Sequence, residues 1–178
     1  MDTYAARPVL WPEIRALLLA AMAVFTYTIT IGILNGIDAI EFDQRRILGH
    51  VHGGTLGWLT LAVFAASLWL FGEGKPLTQR ERMFARWLAV GAIVAFAAYV
   101  LAFSLTYGNW RPVLGTISTI VIAGQFLWVL ARARGVELGV PHWGFLAALG
   151  TSIVGGILGI LWGLQLATGD KYLPTDGE

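Results

Sequence analysis

Residues 47–72, ILGHVHGGTLGWLTLAVFAASLWLFG, make one apolar run with two histidines, His50 and His52, close to its start. A helix needs ~20 apolar residues to cross a hydrocarbon core, so this stretch reads as a membrane span. Ionisable side chains are costly in lipid, and two of the chain's three histidines stand in this one span. Such a pair is by default a functional-site candidate whose partner has to be found.

Four more stretches pass the same length test: 13–35, 86–107, 112–131 and 143–168. The expected fold is therefore all-α, a single transmembrane domain over residues 1–178 built as a bundle of five helices. Composition agrees, with 57% hydrophobic and 13% charged residues. The absence of cysteine excludes disulfides, thiolate metal sites and cysteine nucleophiles. A net charge of +1, with basic residues at the span ends, argues for a lipid bilayer as the main partner and against nucleic acid. The first stretch follows Arg7 and Arg15 as a signal peptide would, but it stays apolar to Leu34 without a cleavage site and reads as a retained helix.

Lysine and arginine alternate unevenly across the spans. Arg7, Arg15, Lys75, Arg80, Arg82, Arg86, Arg132 and Arg134 fall on one side, against Arg45, Arg46, Arg111 and Lys171 on the other. The positive-inside rule then expects a cytoplasmic N-terminus and an outer C-terminus, in a bacterial inner membrane. Trp11, Trp69, Trp87, Trp128 and Trp143 belong to an inner aromatic belt, and Tyr107, Trp110 and Trp162 lie toward the outer one. This topology sets His50 and His52 near the outer surface, beside the acidic loop carrying Asp38, Glu41 and Asp43, and His142 near the inner one.

At about 100° per residue, side chains two apart on a helix diverge by roughly 160° to 200°. Either His50 and His52 serve different partners on opposite faces, or the helix starts later and leaves His50 extended so that both converge. Neutral imidazole binds zinc, copper or haem iron. Gly49, Gly53 and Gly57, spaced by four with Gly54 beside them, let a helix or a flat ring approach the backbone, and Trp58 and Thr55 add an aromatic wall and a hydroxyl.

The string GHVHGGTLGW, residues 49–58, resembles the H-x-H-x-x-x-x-G-W type segment of the haem-copper oxidase catalytic subunit and its short relatives. In that superfamily, histidines two apart on one helix hold haem groups on opposite faces. The resemblance implies that His50 and His52 are haem ligands; Gly53, Gly57 and Trp58, from the spacing argument above, are then expected to line the cofactor site. The implied cofactor is haem b, with copper or zinc as the alternative. The chain has fewer spans than a catalytic subunit and only His142 besides the pair. A second axial ligand is therefore expected from another protomer or subunit, and Met22 and Met83 are poorly placed for it.

Gly155, Gly159 and Gly163, with Gly156 alongside, mark a close helix contact on the fifth span, within the bundle or across a homo-oligomer. Gln125 is expected to make an interhelical hydrogen bond. Thr78 and Glu81 fit a capping box that begins the third helix before its apolar part. Pro112 and Pro141 mark helix starts. Three functions follow as expectations. The first is a membrane haem protein for electron transfer or diatomic gas binding. The second is a non-enzymatic accessory or assembly subunit of a larger membrane complex. The third is a small-molecule or metal-ion permease, against which stands the lack of a charged residue at any span centre.

Overall fold

A computed structural model describes residues 8–73, 75–105 and 110–174; Arg7 of the basic count and Tyr107 of the outer belt lie outside them. The helices are α1 (Trp11–Gly36), α2 (Gln44–His52), a π-helical segment (Gly53–Leu59), α3 (Thr60–Gly72), α4 (Gln79–Leu105), α5 (Trp110–Ala133) and α6 (Val140–Thr168). α2, the π segment and α3 run on as one rod, Gln44–Gly72, so five helices are long and apolar enough to cross a membrane. The chain is an all-α bundle, as its apolar runs require.

Local chemistry sets the ends of these rods. Pro12 stands in the first turn of α1, where its missing N–H leaves no bond unmade. The Asp43 carboxylate accepts from the Arg46 N–H at 3.0 Å and caps α2. Thr78 and Glu81 close the capping box. The Thr78 N–H donates to Glu81 Oε2 at 2.8 Å, and the Glu81 N–H donates to Thr78 Oγ1 at 3.2 Å. α4 therefore begins at Gln79, ahead of its apolar stretch.

The second span occupies the middle of the bundle. α1 packs along its whole length, α4 along its α2 half and α5 along its α3 half, while α6 lies mainly on α5. The core follows from this crossing: Phe64, Leu68, Phe96, Ile122, Val129 and Leu149 are all buried. Much of the outer surface is apolar too, including Leu19, Trp87, Val94, Ile120 and Leu166, as a lipid-facing bundle demands.

Polar groups join the second span to α5 at two levels. Midway, Gln125 Nε2 donates to Ser67 Oγ at 2.7 Å, and Ser67 passes the bond to the Phe64 carbonyl at 2.9 Å. This is the interhelical bond expected of Gln125. A double-mutant cycle of Gln125→Leu and Ser67→Ala in detergent unfolding is expected to give a coupling of about 0.6–1.7 kcal/mol. Simple additivity of the two substitutions would show that the bond contributes nothing.

Lower down, Arg132 is 2% exposed and wraps the C-terminal end of α3. Its guanidinium donates to the carbonyls of Phe71 (3.0 Å), Gly72 (3.2 Å) and Pro76 (3.1 Å) and to that of Lys75, and Glu81 lies 3.6 Å away. Lys75 answers in the other direction, donating to the Ala131 and Arg134 carbonyls at 3.1 Å each. Each helix end thus receives a cation from the other, which satisfies orphan carbonyls and complements both helix dipoles.

Candidate functional site

The two histidines both lie on α2, so the helix does not start late, and they serve opposite sides of the rod. His50 turns to α1: its Nδ1 is 2.8 Å from the Thr28 carbonyl, and its ring rests against Gly32, where an added Cβ would come within 3.0 Å of Cε1. His52 turns the other way, toward α4. Its ring stacks on Phe103 with centroids 3.8 Å apart and planes at 17°, and meets the Tyr99 ring edge-on at 5.5 Å.

A carbonyl can only accept, so the nitrogen facing it carries the proton. His52 Nδ1 lies 2.8 Å from the Leu48 carbonyl one turn back. Nδ1–H donates there, and neutral His52 keeps its lone pair on Nε2. A backbone acceptor on one nitrogen and a free lone pair on the other is the arrangement that orients ligand histidines.

His52 lines a cavity of about 530 Å³, within the ~300–1,000 Å³ span of small-molecule sites. Its existence follows from the helix layout. α5 and α6 touch α3, but neither touches α2 or the π segment, so the bundle is split at the His52 end. One wall is the second span, with Leu48, His52, Leu56 and Thr60. The facing wall is α5 and α6, with Gly115, Ser118, Gly155, Gly156 and Gly159. Tyr99 and Phe103 close one side, and Arg111 stands with them, its guanidinium 4.6 Å over the Phe103 ring.

The π segment keeps that first wall straight. Rows of residues four apart drift by about 40° per step around an α-helix. Bonding to the fifth residue puts more residues in each turn and reverses the drift, so the π segment Gly53–Leu59 offsets the drift accumulated along α2. Leu48, His52, Leu56 and Thr60 therefore stay on the cavity face, and Gly49, Gly53 and Gly57 stay on the neighbouring, packed one, about 100° round the rod. Thr60 Oγ1 reinforces the wide turn by donating to the Thr55 carbonyl, five residues back, at 3.0 Å.

Of the five residues singled out from the sequence, the structure brings His52 alone to the cavity. Gly53 and Gly57 are buried between α1 and α4. A Cβ on Gly53 would lie 2.6 Å from Thr28 Oγ1, and one on Gly57 would overlap Val24. Trp58 packs on Phe25 of α1, centroids 4.8 Å apart. The glycines of the fifth span, expected to mark a close helix contact, do so in part. Gly156 and Gly163 abut Thr119 and Pro112 of α5, whereas Gly155 and Gly159 have no neighbouring atom within 4 Å of a Cβ and border the cavity.

The remaining candidates lie elsewhere. His142 is at the Arg132 end, where its Nδ1 accepts from the Gly139 N–H at 3.2 Å and its ring meets Phe71 edge-on at 5.1 Å. Met22 and Met83 are exposed on the outer faces of α1 and α4. Asp43 of the acidic loop is engaged as the α2 cap and as the partner of Arg45 at 3.5 Å. Among the described residues, no three or more His, Asp or Glu side chains stand close enough to share a metal ion. Tyr99, Phe103, Arg111 and Ser118 were not singled out as site residues from the sequence, and only the polarity of the fourth span, with Ser118 among its hydroxyls, gave a signal. No family model matches the chain, and neither the curated proteins nor the solved structures contain a match.

Proposed function

We propose that this chain is an integral membrane haem protein that binds haem b through His52 and serves diatomic gas binding rather than electron transfer. The observation that carries the reading is the His52 imidazole, with Nδ1–H anchored on the Leu48 carbonyl and its Nε2 lone pair uncommitted, at the wall of a 530 Å³ cavity between helices. A haem iron needs one or two protein ligands, so the donor set fits it. Zinc in structural sites takes four ligands and in catalytic sites three, which the described residues do not gather. The resemblance of GHVHGGTLGW to the haem-copper oxidase segment favours the same group and extends over those ten residues.

The cofactor would supply a metal centre able to take a small molecule as an additional ligand. This chain's own residues do the rest. Leu48 holds the His52 tautomer, and Phe103 fixes the ring plane by stacking. Gly155 and Gly159 leave space for a flat ring beside α6. Among the described residues, the cavity lining includes no second imidazole and no thioether, and a haem held there by His52 alone would suit gas binding better than the paired ligation typical of electron carriers. His50 is committed to α1 and holds two helices together. The charge count favours a bacterial inner membrane with the N-terminus inside.

Purified protein expressed with haem supply is expected to show a Soret band. His52→Ala should abolish it, and His50→Ala should keep it with a lower unfolding midpoint. A colourless, monodisperse wild-type protein that also fails to take up added haem would defeat this reading. A band lost with His50 but kept without His52 would move the site to the other face.

A further inference from the structure

Two hydroxyls at the cavity have no evident use in holding the fold. The other Ser and Thr hydroxyls lining it all donate to carbonyls: Thr55 to Val51 at 3.1 Å, Thr60 to Thr55 at 3.0 Å, Thr119 to Gly115 at 2.9 Å and Ser152 to Ala148 at 2.8 Å. Ser118 differs. It is 2% exposed, lines the cavity, and its Oγ meets no hydrogen-bond partner among the described residues. A buried hydroxyl left so is unusual and calls for a partner supplied from outside the chain. Rotation about one bond re-aims a serine Oγ, so a guest in the cavity can reach it.

Tyr99 supplies the second. It crosses from α4 beside His52 toward α5, where its ring and hydroxyl lie 3.3 and 3.5 Å from the place of a Cβ on Gly115. The glycine lets the ring lie against the α5 backbone, where a Cβ would press it back by a few tenths of an ångström. Gly115 is three residues before Ser118, so the two hydroxyls approach one turn of α5, on the wall that faces His52.

We propose that Tyr99 and Ser118 are the hydrogen-bond donors that select a polar, oxygen-bearing diatomic ligand over an apolar one in the His52 cavity. This rests on the haem reading above and adds the specificity-determining residues. A ligand such as dioxygen gains partial negative charge on its outer atom and rewards a donor, whereas carbon monoxide does so far less. Thr119, its hydroxyl already held by Gly115, serves as the internal control.

The test uses the full-length protein, loaded with haem b in detergent or nanodiscs, and measures the affinities for dioxygen and carbon monoxide together with the C–O stretching frequency. Tyr99→Phe and Ser118→Ala are each expected to lower the dioxygen-to-carbon-monoxide affinity ratio by roughly five- to tenfold, the size of one hydrogen bond. Both should shift the C–O stretch upward, leave the Soret band in place and contrast with an unchanged Thr119→Val. Should both variants keep the wild-type ratio and stretch while binding haem normally, this proposal is overturned and the haem reading stands. A wild-type protein that takes up no haem overturns both. Haem uptake by Tyr99→Phe and Ser118→Ala serves as the folding control, so a change in ratio is read only from loaded protein.

Discussion

Arg132→Met is expected to lose about 3–5 kcal/mol of stability, seen as a large drop in the denaturing-detergent midpoint. Removing one side of a buried, hydrogen-bonded charge leaves its partners dehydrated and unpaired, and that loss has this size. Here the partners are the carbonyls of Phe71, Gly72, Lys75 and Pro76, which end α3 and begin the loop after it, together with Glu81. Methionine matches the apolar stem but offers no donor. Arg132→Lys should recover only part of the loss, because an ammonium cannot reproduce a planar fork reaching several oxygens. Lys75→Ala, at the more exposed end of the same exchange, should cost about 1 kcal/mol or less. Equal midpoints for Arg132→Met and wild type would mean that the helix end is satisfied by something else.

The second large effect separates two sets of glycines that look alike in sequence. Gly57→Leu is expected to destabilise the protein by at least about 1–3 kcal/mol, the usual penalty for overpacking. Its Cβ alone would overlap Val24 on α1, and the rest of the side chain has Val100 of α4 in its way. Gly53→Leu should behave similarly, being wedged against Thr28. Gly159→Leu meets no atom within 4 Å of its Cβ, so it should fold with a midpoint near wild type. It should nevertheless interfere with haem uptake, since Gly159 borders the cavity. Detergent unfolding and a Soret titration on the same samples separate the two effects. A stable Gly57→Leu beside an unfolded Gly159→Leu would reverse the assignment of faces.

Much of the architecture is legible in the chain because lipid imposes a single demand, length without charge, and five stretches meet it. The opposite orientation of His50 and His52 is one of the two arrangements that helix pitch allows, decided by α2 beginning at Gln44, and the Thr78–Glu81 box and the Gln125 bond follow from unsatisfied polar groups. Four things did not show. Glycine spacing announces a close approach without saying what approaches, so it does not separate Gly53 and Gly57, which pack on helices, from Gly155 and Gly159, which border the cavity. A basic residue at a span end reads as a topology signal, and nothing local reveals that Arg132 folds back across the loop. The π turns depend on which carbonyls the packed helices leave free, a tertiary matter. The cavity itself arises from what α5 and α6 fail to touch, and a one-dimensional pattern does not record missing neighbours.

The exchange of cations between the ends of α3 and α5 fastens those helices together at one level, while the same pair of rods stands apart around His52. The second and fourth spans thus form a wedge, hinged at its narrow end and hollow at its broad one. A guest in the broad end sits where the second span meets neither α5 nor α6, with α4, packed on both α2 and α5, closing the gap. The fastening keeps the narrow end shut, so a residue at one end of the bundle helps to fix the shape of the hollow at the other.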